Sequence, residues 1–336
     1  MTAEPHRRNR ACPKIERHVH LEGTIRPETA VRLAQRHGVE LPAQDTDELA
    51  ALFRFRDFDH FIEVFLIVTG VLLHRDDFRE ILVEYAEEAA THGALYVEAI
   101  FSPAQAVRRG VSWEAVFGGY CDGIEEARER HGVEVRLTPD VTRSFPLDVA
   151  QETAQHAIAH RDRGVVGLGL GGYEADFPPE PFEHVFRLAR EGGLGSVPHA
   201  GEVAGPESVR GALDALGACR IRHGLAAAED EGLLRELADR GIVLDVCPTS
   251  NLRTGVVASL EQHPLPRLVE TGVACSISTD DPALFNTDLT QEQEAAWSLG
   301  LHPREQFAAG LAGALCDDET RSRLRAAGEA FDWASL

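Results

Sequence analysis

The sequence predicts an α/β fold, a (β/α)₈ barrel of the TIM type with extra helices after the first strand and a helical C-terminal tail. Three observations lead there. Eight short β-rich runs are spread along the 336 residues. Stretches with apolar residues at three- and four-residue spacing separate them, the periodicity of amphipathic helices. Ionisable residues collect at the carboxyl ends of the runs, the rim on which a parallel barrel carries its chemistry. On pattern alone a doubly wound open sheet is the competing arrangement.

Taken in order, residues 1–13 are basic but have no apolar stretch, so they read as a flexible tail and not as a secretory leader. Residues 14–336 read as a single barrel domain. Its first strand is Ile15–His20. Pro27–His37 and Phe58–Tyr85 then give several helices, an excursion over one end of the barrel, before a second strand at Ala94–Ser102. Helix Ser112–His131 leads to strand Val133–Asp140, helix Leu147–Arg161 to strand Val165–Gly171, and helix Pro179–Glu191 to strand Gly195–His199. Helix Pro206–Leu216, strand Arg220–His223, helix Asp230–Arg240 and strand Ile242–Cys247 follow, and Val273–Thr279 is the eighth strand. After Asp281 apolar and charged residues interleave as far as Trp333, the pattern of helices packed outside a barrel. No repeat, linker or composition break divides the chain.

Charge narrows the partners. Asp and Glu number 55 against 33 Lys and Arg, a formal charge of −22. So acidic a surface repels phosphate backbones and anionic bilayers, which argues against nucleic acid or a membrane and only weakly favours a small-molecule partner. No apolar run approaches the ~18 residues of a membrane span. The six cysteines lie far apart without a CxxC pair, as expected of reduced thiols in a cytoplasmic protein.

The chemistry gathers at strand ends. His18 and His20 close the first strand, His199 the fifth and His223 the sixth, and Asp280-Asp281 follows the eighth. Residues i and i+2 of a strand share a face, so His18 and His20 point together into the mouth. A lone His-x-His pair is weak evidence, and an Asp-Asp-Pro turn is a common helix N-cap. Their coincidence at one rim makes a nitrogen/oxygen site for Zn²⁺. Glu202, three residues past His199, can reach over such a metal without binding it and serve as an acid or base. Lys14 is the only lysine and precedes the first strand, so a centre bridged by a carboxylated lysine has no ligand here. The cytidine-deaminase signature is missing, and Gly167–Gly172 continues a strand instead of opening a helix, which removes the dinucleotide fingerprint.

Together these segments resemble the adenosine deaminase family of metal-dependent hydrolases. The matching stretches are His18-Val19-His20-Leu21-Glu22-Gly23, Tyr96-Val97-Glu98 with Ser102-Pro103, and His199-Ala200-Gly201-Glu202. Further on come His223-Gly224, Cys247-Pro248 with Ser250-Asn251, and Ser278-Thr279-Asp280-Asp281-Pro282. The resemblance implies one Zn²⁺, or iron, on His18, His20, His199 and Asp280. It implies Glu202 as the acid that protonates a ring nitrogen, His223 orienting the attacking water, and Asp280 also accepting its proton. Asp281 and the backbone N–H of Gly172 would bond purine nitrogens, and Phe58–Phe65 would cover the site.

Three departures bear on the substrate. Glu22 stands where an Asp for a sugar hydroxyl is usual, Tyr173 replaces an Asp, and Arg222 places a cation near the rim. The implied reaction is deamination of a 6-aminopurine nucleoside, with adenosine or 2′-deoxyadenosine as first candidates. Free adenine, or an adenosine modified at its 5′ end in the manner of aminofutalosine, is the alternative. A non-catalytic nucleoside-binding relative is remote, because every ligand and the acid are present.

Overall fold

The computed structural model describes residues 9–43, 45–56 and 58–336. Its strands run parallel and in chain order. β1 (Lys14–His20), β2 (Ala94–Phe101), β3 (Glu134–Thr142), β4 (Gly167–Gly171) and β5 (Gly195–Ser196) form one sheet. A second sheet holds β6 (His199–Ala200), β7 (Arg220–His223), β8 (Val243–Val246) and β9 (Cys275–Ile277). β5 and β6 are the two halves of the expected fifth strand, interrupted at Val197-Pro198. Proline has no N–H for a ladder, yet the segment still joins its neighbours. Val197 N donates to Leu168 O at 2.9 Å, and Pro198 O accepts from Arg222 N at 2.9 Å. The barrel closes where Val19 bridges Asp280, through His20 N to Asp280 O at 2.7 Å and Asp280 N to His18 O at 2.9 Å.

The helices follow the amphipathic pattern, with ends displaced by a few residues. The long helical reading over Phe58–Tyr85 divides into Phe58–Thr69 and Arg75–Thr91. Asp77 sets the second start by accepting from Leu73 N at 3.0 Å and His74 N at 2.8 Å. In the C-terminal tail, helix Pro303–Gly313 packs on β1 and β9. Within the expected flexible tail, residues 9–13 are described and partly buried. Asn9 and Cys12 are buried, and the Lys14 ammonium, also buried, donates to Asn9 O at 2.5 Å and Cys12 O at 3.1 Å. Residues 1–8 lie outside the described residues.

Apolar packing fills the layer between barrel and helices, where Val97, Val135, Leu137 and Leu168 meet Phe117 and Phe186. Inside the barrel the filling is ionic. Arg17, Glu98, Asp140, Arg220, Arg222 and Asp245 are each at most 1% exposed. Arg17 Nη2 meets Asp245 Oδ1 at 2.7 Å, and Arg220 lies 2.7 Å from Glu98 and 2.5 Å from Asp245. Arg222 pairs with Asp140 at 2.5 Å. The expected rim cation is therefore an interior one. A register shift between Glu16 and Val19 turns the adjacent Arg17 and His18 both inward. At the end of β7 the left-handed backbone of His223, φ 60°, accompanies the same behaviour in Arg222 and His223.

A candidate active site at the carboxyl rim

Four donors from three places on the rim meet in one cluster: His18, His20, His199 and Asp280. His199 Nε2 lies 3.1 Å from His18 Nε2 and 3.2 Å from His20 Nε2, and Asp280 Oδ1 is 3.1 and 3.3 Å from the same two rings. Ligands at about 2.0–2.1 Å in a tetrahedron stand roughly 3.3 Å apart, so the spacing is that of a closed nitrogen/oxygen set. The far sides of two rings fix their near sides. His18 Nδ1 faces Asp245 O at 3.3 Å and His199 Nδ1 faces Leu170 O at 3.0 Å. A carbonyl only accepts, so in the neutral rings the proton sits on Nδ1 and the Nε2 lone pairs point at each other. Two lone pairs at 3.1 Å repel unless a cation stands between them. The donor set thus fits a metal ion, and its chemistry suits Zn²⁺.

Behind His199 lies a second layer. Asp140 Oδ2 is 3.3 Å from His199 Nδ1, and Asp140 Oδ1 pairs with Arg222. Burial opposes the Asp140 charge, but Arg222 and His199 outweigh it and hold the carboxyl well below its ordinary range. Gly169 makes room for the pair. A Cβ there would lie 1.9 Å from Asp140 Oδ1 and 2.2 Å from Arg222 Nη1. Asp280 is held from the other side by the Ser250 hydroxyl, which donates to Oδ2 at 2.6 Å. Asp280 has a left-handed φ of 66°, a strained conformation concentrated where the ligand must be aimed.

The loop after β6 carries Glu202 toward this cluster, with its Oε2 3.4 Å from His223 Nε2. Sequence reading passed over the residue that shapes the loop. Glu174 is buried, and its two oxygens accept from the backbone N–H groups of Gly201, Glu202, Val203 and Ala204 at 2.5–3.2 Å. The Ser208 hydroxyl adds a fifth bond at 2.5 Å. Burial raises the Glu174 pKa, but these donors, with the Arg143 charge, outweigh it and leave the carboxyl ionised. Glu202 differs. Burial, then the charges of Asp280 and Glu174, push its pKa well above the carboxylate range. The only sequence signal for Glu174 is its position just past β4, where strand alternation no longer applies.

A cavity of about 140 Å³ joins these groups, lined in part by His20, His199, Glu202, His223, Asp280 and Asp281. Gly172 lines its wall, and Phe61, Ile62, Phe65 and Leu66 lie across the mouth. The Phe58 side chain lies outside the described residues. Asp281 Oδ1 is buried without a partner, and a Cβ on Gly23 would come within 1.9 Å of it. Burial, with the charges of Asp280, Glu22 and Glu202, lifts the Asp281 pKa well above its ordinary value despite His20. Glu22 is buried beside the cavity wall; Oε1 accepts from Ser102 N at 2.8 Å, and Oε2 has no partner. Tyr173 does not line the cavity and is 40% exposed, so the phenol expected to reshape the pocket points elsewhere.

The sequence model of the family described as adenosine deaminase matches residues 13–327. An aminodeoxyfutalosine deaminase of Acidothermus cellulolyticus is 48% identical over 330 residues, covering 96% of this chain and 93% of the relative. Among solved structures, an adenine deaminase from Arthrobacter aurescens is 31% identical with a TM-score of 0.91, covering 97% of this chain and all of that one. A Burkholderia ambifaria amidohydrolase with bound Zn is 30% identical with a TM-score of 0.90, covering 98% of this chain and 93% of that one.

Proposed function

The chain belongs to the adenosine deaminase family, and from that premise we propose that it hydrolyses the 6-amino group of an adenosine modified at its 5′ end, of the aminofutalosine type, using one Zn²⁺. The observation that carries the reaction is one cavity in which Glu202, its pKa raised by burial, stands with His20, His199 and Asp280 of the four-residue donor set that His18 completes. The substrate rests on the relative at 48% identity, which favours the 5′-modified compound over adenosine itself. Free adenine is a second reading, favoured by the small cavity and by the fold shared with the Arthrobacter enzyme. With six free cysteines, the protein is expected to act in the cytoplasm.

The ion would be held by His18, His20, His199 and Asp280, and when bound it lowers the pKa of water to about 7. The side chains do the rest. Glu202, protonated at neutral pH, gives its proton to the ring nitrogen beside the amino-bearing carbon and opens that carbon to attack. Asp281, also protonated, donates to an imidazole-ring nitrogen, and the Gly172 N–H donates to another ring nitrogen. Asp280 takes one proton from the attacking water. The water oxygen bonds to the carbon, the bond to the amine breaks, and the nitrogen leaves as ammonia with the proton from Asp280. The remaining hydroxyl proton returns to Glu202 as the carbonyl forms. Phe61, Ile62 and Phe65 limit access of bulk water.

The test is an ultraviolet and ammonia-release assay of the zinc-loaded protein with 5′-modified adenosines, adenosine, deoxyadenosine and adenine. Turnover of the 5′-modified compounds above the rest is expected; preference for adenine would move the assignment to the second reading. Glu202→Gln should keep its zinc and lose about 10²–10⁴ in kcat, and full activity would remove the acid role.

A further inference from the structure

His223 faces the same cluster as the three histidine donors, but its surroundings give it the proton position opposite to that of His18 and His199. Its Nδ1 does not meet a carbonyl. It meets Asn251 Nδ2 at 3.3 Å, and Asn251 Oδ1 lies 3.2 Å from His263 Nε2. The other nitrogen of His263, Nδ1, accepts from the main-chain N–H of Leu265 at 3.0 Å. Asn251 is fully buried and His263 is 3% exposed.

A main-chain N–H can only donate, and that fixes the direction of the whole chain. His263 receives at Nδ1, so its own proton is on Nε2 and is given to Asn251 Oδ1. Burial, with His223 close by, brings the His263 pKa down to about 4, so the ring is neutral at physiological pH. The amide of Asn251 is oriented with no freedom left, its N–H₂ toward His223. His223 must then accept at Nδ1 and carry its proton on Nε2, which lies 3.4 Å from Glu202 Oε2 and 3.8 Å from Asp280 Oδ2.

We propose that Asn251 and His263 are positioning residues that hold His223 as the Nε2–H tautomer, a hydrogen-bond donor toward the space between Glu202 and Asp280. The inference rests on the deaminase reading for its consequence, since a donor there steadies negative charge developing on the attacking oxygen and leaves proton acceptance to Asp280. His223 is thus told apart from His18 and His199 by what meets Nδ1: carbonyls behind His18 and His199, an amide N–H behind His223.

The experiment labels the zinc-loaded protein with ¹⁵N-histidine and reads the ring tautomers from two-bond proton–nitrogen correlations, the His223 signals being assigned by their loss in His223→Gln. The expected wild-type pattern is Nε2–H, and an Nδ1–H pattern overturns the proposal without any variant. Asn251→Asp replaces the donor by an acceptor and should convert His223 to a form protonated at Nδ1. It should lower kcat about 100-fold or more with little change in KM, as expected when a catalytic imidazole is held in the wrong tautomer. A variant that folds and leaves the His223 signals unchanged overturns the role of Asn251, and a converted tautomer with unchanged kcat overturns the role of the donor. The spectrum reads the tautomer even if no 6-aminopurine is turned over, so failure of the substrate reading is seen separately.

Discussion

Replacing Glu174 by glutamine isolates the carboxylate that gathers the Glu202 loop. In the wild-type protein one oxygen takes the N–H groups of Glu202, Val203 and Ala204, and the other takes Gly201 N–H and the Ser208 hydroxyl. The best placement of a glutamine keeps its oxygen on the three N–H groups and sets its NH₂ opposite Gly201 and Ser208. Ser208 can turn to accept; Gly201 N–H cannot, and a buried unsatisfied donor costs about 1–3 kcal/mol. The three surviving bonds lose their charge assistance, about 1 kcal/mol each. The total of about 4–6 kcal/mol falls on residues 201–204 and on the placement of Glu202. Displacing a catalytic group by an ångström costs about 10² in rate. Glu174→Gln should therefore melt several degrees lower, bind its metal as before, and lose about 100-fold in kcat/KM. An unchanged melting temperature together with a kcat/KM within threefold of wild type (roughly 0.65 kcal/mol) would refute the reasoning.

Other perturbations test the layers beneath. Asp140→Asn removes the carboxylate behind His199 and should weaken metal binding about 10–100-fold in competition with a chelator, and unchanged affinity would deny Asp140 that role. Asp245→Ala leaves Arg17 and Arg220 short of a buried partner and should cost about 3–5 kcal/mol in denaturant unfolding, whereas a loss below about 1 kcal/mol would mean the interior is hydrated. Glu292 accepts from Thr249 N at 3.0 Å and the Thr287 hydroxyl at 2.5 Å, and burial pushes its pKa from 4.5 up to about 7. The folded protein keeps a proton that the unfolded chain has released, so this contribution is full below pH 4.5 and lost as the pH rises to about 7. The melting-temperature difference between wild type and Glu292→Gln should fall across that interval and then level; a rising difference would contradict the sign.

Local signals brought out the candidate metal donors and the candidate acid. His18 and His20 were legible because residues i and i+2 of a strand share a face, and Glu202 because a short loop keeps it near His199. The break in the fifth strand, read as one run over Gly195–His199, has a local cause in Pro198. What escaped lies in long-range pairing. Arg222 sits next to an inward-facing histidine, so alternation sends it outward; the left-handed turn at His223 and a partner on β3 bring it inside. Glu174 was hidden by the loss of strand periodicity after Gly171, which drew attention to Tyr173 instead. Asn251 and His263 are polar residues whose meaning depends on the backbone N–H of Leu265, and no spacing in the sequence announces that contact.

The space beside Gly169 has a consequence for how this barrel can change over generations. Asp140, Gly169 and Arg222 stand on β3, β4 and β7 and occupy one volume between them. A side chain at Gly169 evicts the carboxylate, loss of the carboxylate strands the guanidinium, and loss of the guanidinium leaves a buried anion behind His199. None of the three positions has a free neighbouring step, so this corner of the enzyme should be inherited as a unit and exchanged only by simultaneous replacement.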